Sequence, residues 1–235
     1  MAHSALYQSL FSNKKTMFGG KQMANLFSLI REKKYFLMKI FLTLIIQILI
    51  TIYVFMKANG QKLLNTNMKY FGLIILLFVI VIMIVFVSNP FIKFILFTIF
   101  SICVGLFLSV LKEYYSPDVI KTALYSTLSI FGTMILLTLF FVIFNIEIDP
   151  RLGYILLFTL LLVIVIRIVF LFIPPSSTIN KWLCVFVIML FAIYIVYDTY
   201  NILVRDYYGN DFITPALDYY LDIINIFVNM LGASQ

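Results

Sequence analysis

Long uninterrupted apolar runs constrain this chain more than any other feature of its sequence. Seven runs of 17 to 26 residues can be counted: Tyr35–Met56, Tyr70–Val87, Phe91–Leu111, Val119–Phe144, Leu152–Ile173, Trp182–Leu203 and Pro215–Leu231. A helix needs about 20 mostly apolar residues to cross the hydrocarbon core of a bilayer. A membrane β-barrel would instead require apolar and polar residues to alternate along each strand. The runs therefore predict an all-α membrane protein, a bundle of seven transmembrane helices.

The last run, Pro215–Leu231, is the least typical of a membrane span. It has the fewest residues, and it contains two aspartates and two asparagines. We therefore predict a short, semi-polar last helix, and the sequence leaves open whether this helix crosses the bilayer or is re-entrant.

The charged residues exclude several classes of function. Charged residues make up 11% of the chain and hydrophobic residues 63%, which is too apolar for a soluble domain. The net charge of +7 is not gathered on a folded soluble face, so the predicted partner is the lipid bilayer and not a nucleic acid. Cys103 and Cys184 both fall inside apolar runs, which predicts buried thiols without a disulfide.

The distribution of basic residues predicts the orientation. Seven of the seventeen Lys and Arg residues lie at or before Lys39, and only Glu32 opposes them. Because basic residues favour the cytosolic side, we predict a basic cytosolic tail over residues 1–34 and a membrane domain over residues 35–235. Three lysines after the first run do not follow this rule: Lys57, Lys62 and Lys69.

The polar residues of the last run share one helical face. Asp218, Asp222, Asn225 and Asn229 are spaced by four, three and four residues, so they form a stripe along a helix. At a rise of 1.5 Å per residue, Asp222 would lie roughly 10 Å from the helix start. An acid at that depth is costly and is a functional-site candidate by default.

The preceding run carries a second stripe, with the same spacing. It consists of Tyr194, Asp198, Asn201 and Arg205. Two antiparallel helices joined by a short loop would bury these stripes against each other, which makes Asp198 and Asp222 candidates for a carboxylate pair. Such a pair shares a proton and responds to pH. Carboxylate and amide oxygens also suit a hard cation such as Ca²⁺.

Structural interpretations of these charges remain open at this point. Asp198 could lie at an interfacial helix end, paired with Arg205 or hydrated, and Asp222 could be a satisfied structural acid. Arg167 lies seven residues before Pro174, so its side chain could snorkel to the interface or could act as a charge partner of the acids.

Specific residues of the two stripes also carry a family resemblance. The segments "YDT" (Tyr197–Thr199) and "YLDIINIF" (Tyr220–Phe227) strongly resemble the Bax inhibitor or lifeguard family, and within it the Golgi anti-apoptotic-protein branch. The likeness extends upstream to "GLFLS" (Gly105–Ser109) and "VIKTALYSTLSIFGTMILLT" (Val119–Thr138). The resemblance implies a seven-helix bundle with a cytosolic N-terminus and a last helix that is central or partly re-entrant.

The resemblance also implies a function. Members are regarded as calcium-leak channels of the endoplasmic reticulum, the Golgi or the bacterial plasma membrane, and eukaryotic members as suppressors of apoptosis. The family's two pH-sensing aspartates match Asp198 and Asp222, so Ca²⁺ would be a permeant ion held transiently by these two acids, and no cofactor is expected. We also predict Arg167 as a charge partner and the following pore-lining residues: Asp218, Asn225, Asn229, Asn201 and Arg205.

Three departures from the family pattern bear on this prediction. The family has a basic latch or basic cluster after the second span, whereas this chain has only Lys93 nearby. Asp218 adds an acid where the family usually has an uncharged residue. The basic C-terminal tail of the family is replaced by "GASQ".

Two other classes of function compete with a leak channel. One is a membrane interaction protein, alone or as a homo-oligomer, that suppresses cell death by binding apoptosis regulators or other membrane proteins without conducting ions. The other is an intramembrane aspartyl protease, but the second acid lies in "YLDIIN" and not in a Gly-x-Gly-Asp setting. Serine-histidine chemistry is excluded because His3 is the only histidine. We therefore predict a protein that is not an enzyme.

Overall fold

The computed structural model describes residues 26–63 and 67–234 of the chain. Within these residues, seven helices of 20 residues or more form a bundle: α1 (Lys34–Lys57), α2 (Asn67–Phe86), α3 (Pro90–Ser109), α4 (Pro117–Ile143), α5 (Arg151–Phe172), α6 (Ser177–Tyr200) and α7 (Ile213–Ala233). Shorter helical segments accompany them at 26–32, Gly60–Leu63, Val110–Glu113 and Asn201–Arg205. Most of the predicted tail, residues 1–34, lies outside the described residues.

The prediction of a helical membrane protein is confirmed, whereas the count of seven spans is not reached. Five helices of the described chain are long and apolar enough to cross a membrane, namely α1, α3, α4, α5 and α6. The apolar part of α2 is the shorter stretch Phe71–Phe86, and the polar α7 is not among the five. Length and composition alone therefore support five spans.

Side-chain caps determine where several helices begin. The Oδ1 atom of Asn89 accepts hydrogen bonds from the backbone of Phe91 and Ile92 at the start of α3. The Ser176 hydroxyl accepts from the backbone of Ile179 at 3.3 Å. This cap starts α6 at Ser177, five residues before the apolar run begins at Trp182, because a capped first turn does not need to be apolar.

The last helix is longer than its apolar run. It is continuous over 21 residues, or roughly 31 Å at 1.5 Å per residue. Asp211 accepts hydrogen bonds from the backbone of Ile213 at 3.0 Å and Thr214 at 3.2 Å, so the helix begins before Pro215. Proline is compatible with a first helical turn. The helix predicted to be short is therefore long enough to match the roughly 30 Å hydrocarbon core.

Two buried tyrosines place α7 at the centre of the bundle. The Tyr219 hydroxyl lies 2.8 Å from that of Thr199 on α6, and its ring packs edge-on against Phe131 of α4. The Tyr220 hydroxyl lies 2.5 Å from that of Thr51 on α1, and its ring packs edge-on against Phe97 of α3. Helix α7 thus contacts α1, α3, α4 and α6, while α2 packs mainly on α3 and α5 mainly on α6.

The two cysteines agree with the interpretation as buried thiols. Cys103 in α3 and Cys184 in α6 are both buried, and neither forms a disulfide. Cys184 lies near the start of α6, where that helix contacts the end of α7.

Candidate functional site

A cavity of about 590 Å³ lies between α5, α6 and α7. One side is formed by the start of α5 from Gly153 to Leu160, and the end of the bundle is formed by Tyr207 and Tyr208 of the α6–α7 loop. The cavity reaches along α7 as far as Asp222. It is therefore a half-open space between three helices that begins at the α6–α7 loop.

Helix α6 and its extension contribute the stripe that the sequence indicates. Tyr194, Asp198, Asn201 and Arg205 all line the cavity. The chain from Asn201 to Arg205 winds as a π-helix, a wider turn that is frequent at functional sites. The stripe thus keeps one face despite the change in winding.

Arg205 is bound to neutral groups. Its Nη1 donates to Asn201 Oδ1 at 2.7 Å, and its Nη2 donates to the Ile148 carbonyl. The guanidinium also lies 5.6 Å from the centre of the Tyr197 ring and 5.1 Å from that of Tyr200, within cation–π range. These contacts hold Arg205 at the cavity wall without an acidic partner among the described residues.

Helix α7 contributes two acids whose surroundings differ. Asp218 Oδ2 accepts a hydrogen bond from the Tyr208 hydroxyl at 2.8 Å. Burial, and next the Asp218 carboxyl, raise the pKa of the Tyr208 hydroxyl far above its ordinary value, so this group stays protonated and donates. Asp222 is only 4% exposed, and its Oδ2 has no hydrogen-bond partner in the described chain. Burying a polar oxygen without a partner is costly.

The other half of the α7 stripe lies beyond the cavity. Asn225 Nδ2 donates to the Leu221 carbonyl at 2.8 Å, and Asn229 Nδ2 donates to the Asn225 carbonyl at 2.8 Å. Asn229 Oδ1 accepts from Arg167 Nη2 at 2.8 Å. Two of the predicted pore-lining amides are therefore bonded within the bundle and do not line the cavity.

Arg167 of α5 hydrogen-bonds to the two neighbouring helices. It is half-buried, and its Nη1 donates to Asn180 Oδ1 of α6 at 3.0 Å. With Asn229 as its second amide acceptor, the guanidinium joins α5 to both α6 and α7. It thus bonds to amides and does not line the cavity that holds the acids.

A buried lysine, whose partner the sequence analysis did not identify, fixes the start of α7. Lys93 is 6% exposed, forms an ion pair with Asp211, and donates to Thr214 Oγ1 at 2.9 Å. Burial alone would raise the pKa of Asp211, but the hydrogen bonds from Lys93 and Thr214 together hold it below its ordinary value. The basic residue that follows the second span therefore binds the α6–α7 loop. Asp211 was recognisable in the sequence as a capping residue just before a helix.

The end of the N-terminal basic segment reaches the same end of the bundle. Lys33 Nζ donates to the Ile202 carbonyl and to Asp206 Oδ1, each at 2.9 Å. The start of α1 and the α6–α7 loop therefore lie on one side. In the described residues, no group of three or more His, Cys, Asp or Glu side chains is placed to hold a metal ion.

Comparison with known proteins identifies the family. The family described as "Inhibitor of apoptosis-promoting Bax1" matches residues 33–233. The chain belongs to the Bax inhibitor family. The match covers both stripes in full, so the family predicted from "YDT" and "YLDIINIF" is confirmed.

A curated member of the Bax inhibitor family is also similar to this chain. Bax inhibitor 1 of Schizosaccharomyces pombe is 33% identical over 140 residues, which are 59% of this chain and 50% of that protein. The chain thus matches about half the length of this curated relative. Family membership and the five apolar helices together indicate a multi-pass membrane protein.

Proposed function

We propose that this member of the Bax inhibitor family is a pH-sensitive leak pathway for Ca²⁺ and that this activity contributes to suppression of cell death. The observation that carries the proposal is Asp222 Oδ2, which is buried without a hydrogen-bond partner in the described chain. It belongs to a cavity wall that also includes Asp198 and Asp218. The membrane we propose is the Golgi or endoplasmic reticulum, or the plasma membrane if the source is bacterial.

The chemistry follows from placing two carboxyl groups on one cavity wall. Asp198 and Asp222 are 8% and 4% exposed, so water screens their charges poorly. Both cannot be ionised cheaply unless a cation joins them, and a proton competes with that cation. Acid conditions therefore favour the protonated, cation-free pair, and alkaline conditions favour the cation.

The other charged and titratable groups at the cavity are already bonded or remain neutral. Asp218 accepts from Tyr208, and Arg205 donates to Asn201. Tyr194 lines the same wall and stays neutral near pH 7. Among the three acids of this wall, Asp222 has the oxygen without a hydrogen-bond partner in the described chain, so we assign the pH sensor to the Asp198–Asp222 pair. A pair of acids binds Ca²⁺ weakly enough to release it, as conduction requires.

The proposed pathway requires all seven long helices to cross the membrane. Helices α2 and α7 have 20 and 21 residues, roughly 30 Å each at 1.5 Å per residue, which is sufficient for a span. Arg31, Lys33 and Lys34 lie at the cavity end of the bundle, since Lys33 contacts the α6–α7 loop. By the positive-inside bias, this end would face the cytosol.

The experiment is Ca²⁺ flux from proteoliposomes that contain the purified protein, measured at pH 6 and pH 8. Wild-type flux should be larger at pH 8. Asp198→Asn and Asp222→Asn should each reduce the flux and its dependence on pH, since one titrating partner is removed. The absence of wild-type flux above that of protein-free liposomes would contradict the proposal.

A second function is favoured by the family description, which names inhibition of apoptosis and not ion transport. In this alternative the chain suppresses cell death by binding other membrane proteins, as a monomer or a homo-oligomer, and the acids are structural. Asp222→Asn separates the two functions. Loss of both flux and cell protection would favour the leak, whereas protection retained without flux would favour the interaction protein.

A further inference from the structure

A positive charge, Arg167 of α5, lies beside the end of α7 that is opposite the acids. Arg167 donates to Asn229 Oδ1 at 2.8 Å, to Asn180 Oδ1 at 3.0 Å and to Cys184 Sγ at 3.4 Å. The two amide acceptors carry no charge. In the part of the chain that the structure describes, no carboxylate forms an ion pair with Arg167, so its charge is not neutralised by an acid.

Helices α6 and α7 are tightly packed beside this charge. Cys184 is 2% exposed and separates Arg167 from Gly232 of α7. A Cβ atom added at Gly232 would lie only 2.7 Å from Cys184 Sγ, so α6 and α7 leave no spare space here. The cavity, by contrast, extends along α7 no farther than Asp222. The bundle is thus open beside the acids and closed beside Arg167.

The polar stripe continues across this boundary. Asn225 follows Asp222 by one turn, and Asn229 follows it by two turns, roughly 10 Å along the helix. A cation that leaves Asp222 along the stripe would therefore meet amide groups first and the Arg167 guanidinium next. A fixed arginine at a narrow point is an effective electrostatic barrier to cations.

We propose that Arg167 is the barrier that closes the far end of the ion pathway, by its charge and by tying α5 to α6 and α7. This inference rests on the proposed function, because a barrier regulates a pathway that must exist. Arg167 is then a residue that limits the rate of cation passage, and its amide partners Asn180 and Asn229 position it.

The first test compares Ca²⁺ flux at pH 8 for the wild type, Arg167→Gln, Arg167→Lys and Asp222→Asn. Removing the charge while keeping a polar side chain should raise the flux of Arg167→Gln at least about tenfold, since focused charge changes ion encounter rates by that order. Arg167→Lys retains the charge and should stay close to the wild type. Wild-type flux that requires Asp222 but is unchanged in Arg167→Gln would overturn the barrier and leave the proposed function standing. If neither the wild type nor Arg167→Gln conducts Ca²⁺, both the barrier and the proposed function are overturned.

The second test uses Cys184 as a built-in reporter and does not depend on conduction. In a Cys103→Ser background, Cys184 is the sole cysteine of the chain. Neutral and cationic methanethiosulfonates are applied to both faces of the proteoliposomes. Because Arg167 lies 3.4 Å from the thiol and affects its reactivity with any reagent, the readout is the ratio of cationic to neutral labelling. We expect a low ratio in the wild type and a higher ratio in Arg167→Gln. An equal ratio in the two proteins would overturn the proposal.

A further variant keeps the proposal testable if Arg167→Gln does not fold. Asn229→Ala keeps the charge but removes the acceptor at 2.8 Å, so the guanidinium is held less firmly. Cys184 should then be labelled faster than in the matched variant Asn225→Ala, whose amide donates to a carbonyl of its own helix. Equal labelling of these two variants would overturn the proposed positioning.

Discussion

The polar residues at the two ends of α7 differ in hydrogen bonding and packing. At the acidic end, Asp222 presents a buried oxygen without a hydrogen-bond partner in the described residues, beside a cavity of about 590 Å³. At the amide end, Asn229 is bonded through both its nitrogen and its oxygen, and the nearby Gly232 packs closely against Cys184 of α6. The same helix therefore contains one polar cluster that is complete and one that is not. The incomplete cluster is the one that can accept an ion or a proton.

This contrast between the two ends of α7 predicts that the largest change in stability comes from a substitution at the amide end. Asn229→Ala removes the shortest hydrogen bond that Arg167 donates, and it leaves a half-buried charged donor without that acceptor. Hydrogen bonds to charged groups contribute about 1.5–3 kcal/mol. We therefore expect the free energy of unfolding, obtained from thermal unfolding in detergent, to fall by this amount. Asn225→Ala is the matched control and should cost much less. Equal losses would show that Arg167 does not depend on Asn229.

Packing at the amide end predicts the next largest effect. In Gly232→Ala the new Cβ would meet Cys184 Sγ at 2.7 Å, and a displaced sulfur would press on Arg167. Overpacking of this kind costs typically about 1–3 kcal/mol, and we expect the lower half of that range because a thiol can rotate. Gly132→Ala serves as control, since no described atom other than those of its chain neighbours and its own helix backbone lies within 4 Å of its added Cβ. That change should be neutral or slightly stabilising, and a tolerated Gly232→Ala would contradict the close packing.

The difference between the ends also explains what could be predicted from sequence. The α6 stripe was predictable because Tyr194, Asp198, Asn201 and Arg205 lie on one helix, and spacing alone gives a shared face. The position of Arg167 was not, because its partners Asn180 and Asn229 belong to two other helices. Spacing tells which residues share a face, but it does not tell which helix that face meets. A long arginine side chain can also point in either direction along its helix.

The placement of α7 was difficult to derive from its residues for a similar reason. Composition marks it as the most polar of the apolar runs, which favours an incomplete, re-entrant span. In the structure it is central, because Tyr219 and Tyr220 bury their rings and bond their hydroxyls to threonines of α6 and α1. Tyrosine is common at membrane interfaces, so its burial here depends on partners that lie far away in sequence.

At the acidic end, a substitution should stabilise the protein and not destabilise it. Asp222→Asn removes a buried carboxylate and should raise the free energy of unfolding at pH 8 by about 1 kcal/mol, the lower end of the cost of an unpaired buried polar group. The gain should disappear at acid pH, where the wild-type carboxyl is already protonated. Asp218→Ala is the matched control and should destabilise, since the Tyr208 hydroxyl loses its acceptor. A loss of stability in Asp222→Asn at pH 8 would mean that Asp222 has a structural partner.

The smallest effect concerns the ion pair at the start of α7, which keeps the acidic end in place. The pKa of Asp211 is lower in the folded chain than its ordinary value of 3.8. Its ionised form therefore stabilises the fold fully above pH 3.8, and this contribution is lost as the pH falls through the lowered value. Lys93→Gln removes the charged donor, so the pKa of Asp211 should move up towards 3.8 in a carboxyl NMR titration. Lys121→Gln is the control, because Lys121 forms an exposed pair with Asp118 and should leave Asp211 unchanged. If Asp211 titrates at the same pH with and without Lys93, the ion pair does not hold the α6–α7 loop.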